Sequence, residues 1–216
     1  MTARRATLAA LAAGVATSAL PWPLRPARAT AGPARVPTVP QTAGPFYPVD
    51  WSGDTDHDLV VVRGEAARAL GRVAHLRGRV LDRDGQPLAG SIVEIWQCDA
   101  NGRYRHPADR GAARRDSGFQ GRGRARAGDD GGYAFRTIRP VPYPGRTPHI
   151  HFAVWGPDGT QLVTQLYVAG ETANERDTLY NSIRDARQRD GVTARFEPAD
   201  RIEPGALVAQ FDIVLR

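Results

Sequence analysis

Between His75 and Leu215 the sequence is cut into short runs in which apolar and polar residues alternate. HLRGRVLD (75–82), SIVEIWQCD (91–99), YAFRTIRP (133–140), HIHFAVW (149–155), TQLVTQLYV (160–168) and ALVAQFDIVL (206–215) each suit an extended segment with side chains pointing alternately to two faces. VTARFEP (192–198) is a shorter one, and DRDGQPLAG and PDG supply turns. Only ANERDTLYNSIRDARQR (173–189) reads as a helix, and no repeat or heptad pattern appears. This succession predicts an all-β fold: an antiparallel β-sandwich with one short helix, its core between two facing sheets. Long loops would gather at one end, where sites are usually carried. The longest, 99–132, is polar and rich in glycine, arginine and aspartate, and a loop of that length in a compact domain usually serves function.

Ahead of the strands the chain changes character. Arg4 and Arg5 precede an apolar Ala/Leu-rich run, and Ala27-Arg28-Ala29 offers a small-residue cleavage site. Residues 1–29 therefore read as an export signal, too short in its apolar part to span a membrane. The arginine pair matches a twin-arginine signal in part, and a general secretory signal also fits. Residues 30–42 read as a Pro/Ala/Thr linker and 43–216 as one domain. The formal charge of +6 comes from 29 basic against 23 acidic residues, and every basic residue is arginine. Removing 1–29 takes away four arginines and no acid, leaving 25 against 23. A nearly neutral mature protein gives no support to a nucleic-acid or membrane-surface partner. The GRGRARAG run is like an RNA-binding segment in composition only, because it lacks interleaved aromatics. Export points to the periplasm. With the single cysteine Cys98 no internal disulfide forms, so stability must come from the core, a bound metal or homo-oligomerisation.

The chemistry concentrates in PYPGRTPHIHF (142–152). On a strand, residues two apart share a face, so His149 and His151 present two imidazoles side by side while Ile150 turns to the core. That is a simple way for one strand to offer two nitrogen ligands to a metal. No acid stands just ahead of the pair; Tyr143 does. A phenolate is a hard anionic oxygen donor, which favours Fe(III) over Fe(II) or Zn(II). His57 and His106 read as surface residues, and Trp96 as core.

PLAGSIVEIWQCDANGRYRHPAD, FQGRGRARAGDDGGYAFRTIRPVPYP, RTPHIHFAV and TQLYV, taken in order, resemble the intradiol ring-cleavage dioxygenases, and most of all the protocatechuate 3,4-dioxygenase branch. The likeness runs from about Gln41 to Tyr167. It implies a β-sandwich holding non-haem Fe(III) through Tyr104, Tyr143, His149 and His151. It also implies Arg146 and Gln165 as catalytic residues beside the ring, with Tyr143 the phenolate displaced by substrate, and Tyr47 of GPFYP as a lining of the substrate pocket. The implied reaction uses a catechol-type substrate and O2, breaks the ring between its two hydroxylated carbons, and gives a cis,cis-muconate-type product. Relatives often have more residues between the second tyrosine and the first histidine, with tryptophan after P-Y-P. Here Gly145 holds that place and one pocket wall must differ. The alternatives are a non-catalytic β-sandwich binding module, or the same site loaded with zinc or copper.

Overall fold

Alternation does dictate the strands. In the computed structural model, which describes residues 34–216, they are β1 (Val73–Leu81), β2 (Ile92–Trp96), β3 (Arg122–Arg126), β4 (Gly132–Ile138), β5 (His149–Trp155) and β6 (Gln161–Val168). A 3-10 turn (Thr172–Arg176), α1 (Thr178–Asn181) and α2 (Ala186–Asp190) follow, then β7 (Thr193–Ala194), β8 (Glu197–Pro198), β9 (Leu207–Gln210) and β10 (Ile213–Val214). The export signal expected at 1–29 lies outside the described residues. Among those described, no helix is long and apolar enough to cross a membrane.

Two five-stranded sheets face each other. In the first, β1 pairs antiparallel with β4 on one side, while β9 and β10 lie parallel to it on the other and β8 flanks β9. The second runs β3-β2-β5-β6-β7. Between them lie Leu76, Val80, Ile95, Phe135, Ile150 and Phe152, all buried in one apolar cluster. Burying each such side chain contributes about 1.5–3 kcal/mol before the entropy of ordering is set against it.

The all-β sandwich is thus the fold, with four differences from expectation. The sheets are mixed rather than purely antiparallel, because β9 and β10 run parallel to β1 and β7 runs parallel to β6. The single helix expected over 173–189 is broken, because Asp177 and Asp185 adopt extended backbone (ψ 115° and 120°) and restart the chain as N-caps. GRGRARAG is not all loop: it contains β3, which the alternation does not reveal because its inward positions are Gly123 and Ala125 rather than large apolar residues. Finally, the described part of the linker is laid on the sandwich. Thr38 donates its amide to Val214 (3.0 Å) and Gln41 to Val163 (2.8 Å), so the segment crosses from one sheet to the other.

Gly78 shows how closely β1 is packed. A Cβ there would lie 1.8 Å from the Phe211 carbonyl oxygen, which also accepts the Tyr133 hydroxyl at 2.5 Å. Gly78→Ala must push the β9–β10 bend off β1, and is expected to cost about 3 kcal/mol, read as a lower urea midpoint with unchanged slope.

Candidate metal centre

Strand β5 has two lives. Ile150, Phe152 and Val154 face the inter-sheet core, while His149, His151 and Ala153 face outward. That outer face is not wet. A second apolar cluster covers it, with Trp96, Cys98, Tyr104 and Ala153 buried beneath Ala43, Phe46, Tyr47 and Tyr143. Residues 42–51 therefore act as a strap across the second sheet. Gly44, at φ +68°, passes so close that a Cβ would sit 3.5 Å from His151 Cε1. A side chain there would be strained by the backbone and would lie in van der Waals contact with the imidazole.

The two histidines converge. His149 Nδ1 donates to the Thr147 carbonyl at 2.6 Å, which fixes its tautomer and leaves Nε2 bare. His151 is held flat by Trp96, with ring centroids 4.8 Å apart and planes 9° from parallel. The two Nε2 atoms are 3.1 Å apart, and the Tyr104 hydroxyl lies 3.4 Å from His149 Nε2. Burial, reinforced by Arg146, pushes His149 down to about 4. Burial and its neighbour His149 drive His151 well below the ordinary range. Both rings are therefore neutral near pH 7, and in the metal-free protein the bare His149 Nε2 accepts a hydrogen bond from His151 Nε2. His151 Nδ1 is buried without a partner.

A sign follows for stability. In the unfolded chain both rings protonate near 6.5, whereas folded His149 holds out to about 4. Between those values the unfolded state binds more protons, so the metal-free protein is expected to lose stability as pH falls from 6.5 towards 4. Denaturant midpoints across that window, after chelation, measure it.

The tyrosines come from two turns. In the first, Asp99 Oδ1 accepts the amides of Asn101 (2.8 Å) and Arg103 (3.0 Å), and Asp109 Oδ2 accepts the Tyr104 amide (2.6 Å). Gly102, at φ +71°, lets the second turn approach, since a Cβ would lie 3.3 Å from the Pro142 carbonyl. In that second turn the Arg146 amide donates to the Tyr143 carbonyl at 2.9 Å. The Tyr143 ring stands 5.5 Å from the rings of both Tyr104 and His149. Tyr104 is buried and Tyr143 half-buried. Burial raises the phenol pKa of both, and at Tyr143 the Arg146 charge opposes it. A cavity of about 460 Å³ opens beside them, lined by Phe46, Gly102, Pro142 and Pro144 as well as the two tyrosines.

Arg146 is clamped. Its Nε donates to Asp177 Oδ2 (2.8 Å) and its Nη2 to Gln165 Oε1 (2.7 Å). Gln165 stands opposite His151 across β5 and β6, and its amide donates to the Thr42 carbonyl of the strap at 3.1 Å. Burial pulls the Arg146 pKa down, but the hydrogen bond and charge of Asp177 outweigh it, so the guanidinium stays cationic.

Tyr104, Tyr143, His149, His151, Arg146 and Gln165 are thus one cluster. Tyr47 lies to one side of it. Its ring meets Trp96 edge-on at 5.0 Å and its hydroxyl donates to Glu94 Oε2 at 2.9 Å. Phe46, not Tyr47, stacks on Tyr104, with centroids 4.7 Å apart. Trp96 is buried as expected, but in the outer cluster against His151 rather than between the sheets. His106, expected at the surface, is buried; it packs edge-on against Phe46 and accepts the Ala108 amide. His57 is exposed. Sequence reasoning missed three residues. Asp177 holds Arg146, Tyr167 hydrogen-bonds Gln165, and Glu94 takes Tyr47 on one oxygen and Arg124 on the other. Tyr167 and Glu94 lie in motifs that pointed here; Asp177 does not.

Among the described residues no group of three or more His, Cys, Asp or Glu could hold a metal. A cation placed here would have to draw on the phenols. Two neutral imidazoles with converging Nε2 atoms, plus two phenols able to become hard anionic donors, fit a small highly charged ion such as Fe(III). Such an ion would also reverse the upward push of burial on the phenols.

Known proteins place this geometry. The family model described as "Dioxygenase" matches residues 42–216. The protocatechuate 3,4-dioxygenase beta chain of Burkholderia cepacia is 38% identical over 180 residues, covering 80% of this chain and 76% of that one. The hydroxyquinol 1,2-dioxygenase of Nocardioides simplex is 32% identical over 179 residues, and there the chain spans 56% of the relative's length. Among solved structures, the dioxygenase domain of a dioxygenase–carbohydrate-binding fusion from Streptomyces sp. SirexAA-E superposes with a TM-score of 0.63 at 31% identity, covering 83% of this chain and 98% of that one. The sandwich, the paired histidines and two tyrosines on its covered outer face, and a family match over nearly all the described residues lead to one assignment: the chain belongs to the intradiol ring-cleavage dioxygenases.

Proposed function

We propose that this protein is a non-haem ferric dioxygenase that opens a catechol-type ring between its two hydroxylated carbons, consuming O2 and releasing a cis,cis-muconate-type diacid. The observation that carries this reading is the 3.1 Å approach of two neutral imidazole nitrogens beside the Tyr104 phenol. Tyr104, Tyr143, His149 and His151 would hold the ion, which when bound supplies Lewis acidity and a template for the catechol oxygens.

The chain's own residues do the rest. Tyr143, the less buried phenol, would accept a catechol proton on its oxygen in the phenolate form that a bound ion favours. Arg146 presents a fixed positive charge to the electron-rich ring, and preorganisation is what makes such a charge effective. Asp177 and Gln165 hold it from two sides, so it need not reorganise during reaction. Phe46 and the strap keep bulk water from the buried imidazoles. Export to the periplasm, read from residues 1–29, would direct the enzyme to catechols met outside the cytoplasm.

Oxygen uptake with catechol and protocatechuate, with product identified by mass, tests the proposal. A ring-opened product heavier than substrate by both atoms of O2 and carrying two new carboxyls is expected. An aldehyde-bearing product, or no uptake by iron-loaded protein, would overturn it.

A further inference from the structure

The segment 99–132 carries arginines that the proposed chemistry leaves unused. Pairing across β3, β2, β5 and β6 sets Arg122 opposite Trp96, Trp96 opposite His151, and His151 opposite Gln165. Arg122 therefore stands in the same row as the metal-facing histidine, two strands away, or roughly 10 Å at the usual spacing. Trp96 separates the two.

Arg122 is 7% exposed and, among the described residues, forms no ion pair. One Nη2 donates to the Ser52 carbonyl at 2.7 Å, while Nε is buried without any partner. Burial, and then the like charge of Arg105, hold its pKa below the ordinary guanidinium value, with Asp50 opposing in part. Asp50 is itself committed, accepting the Ser52 amide (2.8 Å) and hydroxyl (2.9 Å). Arg105 has no ion-pair partner among the described residues either. A buried cation without a paired anion is strongly disfavoured, so a chain that builds one has reason to bind an anion there.

A space for it exists. Arg63, Arg105 and Arg122 line a cavity of about 330 Å³ together with Ser52 and Asp54. Asp54 sits on the Arg63 side, 3.5 Å from its Nη2, and accepts the Arg63 amide. An adjoining hollow of about 370 Å³ shares Arg105 and adds Arg114 and Arg115. Two acids of that hollow, Asp99 and Asp116, are turned to backbone amides: Asp99 to Asn101, Arg103 and Asp116, and Asp116 to Leu70 and Gly118. Among the described residues, the guanidinium groups of Arg105, Arg114 and Arg115 have no acidic ion-pair partner.

We propose that Arg122, Arg105 and Arg63 form an oxyanion site, distinct from the metal centre, that binds a phosphate, sulfate or carboxylate group. The planar donor fork of arginine matches such groups. The group arrives either as a free inorganic ion or as the acid of an organic molecule. Because Arg122 is separated from His151 by Trp96 alone in that row, occupancy would lie close to the metal face without entering it.

The test is titration of the purified, metal-loaded protein with inorganic phosphate and, separately, with benzoate, at ionic strength held constant with sodium chloride. Binding is read by calorimetry and by thermal unfolding. Saturable binding is expected for at least one probe, weakened at least tenfold in Arg105→Gln and in Arg122→Gln, with iron content unchanged. A preference for phosphate indicates a free oxyanion, and a preference for benzoate an organic acid. Arg105 is exposed, so its variant remains informative even where the loss of buried Arg122 lowers stability. No saturable binding of either probe at millimolar concentration, or equal binding by wild type and Arg105→Gln, overturns the proposal.

Discussion

His149→Ala is expected to purify without stoichiometric iron and to lose ring cleavage by more than about a thousandfold, beyond the ~10–100-fold loss typical when only the partner of a metal ligand is removed. The size follows from the geometry. His149 is pinned at Nδ1 by the Thr147 carbonyl, and its Nε2 lies near both His151 Nε2 and the Tyr104 hydroxyl. Removing it takes away the ring whose Nε2 lies within 3.4 Å of two of the three other donors. Metal analysis beside oxygen uptake checks both halves of the expectation. Full iron with full activity would remove His149 from the site.

Asp177→Ala is expected to lower stability by about 3–5 kcal/mol, the range for stranding one member of a buried ion pair, and to reduce kcat/KM by about 10–100-fold while iron is retained. Asp177 is fully buried on its side chain and works in two directions. Oδ2 takes the Arg146 guanidinium (2.8 Å) and the Thr147 amide (3.0 Å), while Oδ1 caps α1 through the amides of Leu179 (3.0 Å) and Tyr180 (2.9 Å). Burial alone would raise its pKa, but the amides of Tyr180 and Thr147 and then Arg146 reverse the balance and hold the carboxyl below its ordinary value. Loss of the cap accounts for about 1 kcal/mol of the cost. The rest comes from leaving Arg146, 14% exposed on its side chain, without its counter-charge. Denaturant unfolding and steady-state kinetics on iron-loaded protein read the two effects separately. Unchanged kinetics alongside lost stability would make Asp177 a cap and nothing more.

These two residues mark what a sequence can and cannot disclose. His149 and His151 were legible because a strand has a strict period of two, so spacing alone puts them on one face. Tyr104 and Tyr143 needed the ordered motifs, since they come from separate turns brought together only by folding. Asp177 lay beyond both approaches. Its partner is 31 residues away in a different loop, and an N-cap aspartate gives no sign of reaching further. The same limit applies to the sheets. β9 and β10 look like any alternating strand, and nothing local tells that they pair parallel to β1. GPFYP could be read as lying over the site, but not that Phe46 would face Tyr104 while Tyr47 turned to Glu94. That choice depends on Glu94, a buried carboxylate on β2 that accepts the Tyr47 hydroxyl.

The measurement that bears most directly on the metal centre is the metal content and visible spectrum of aerobically purified protein, before and after adding catechol. Stoichiometric iron with a tyrosinate-to-Fe(III) absorption band that shifts on catechol addition is expected. Protein that stays colourless after iron reconstitution, or that holds zinc or copper in iron's place, would contradict the ferric dioxygenase.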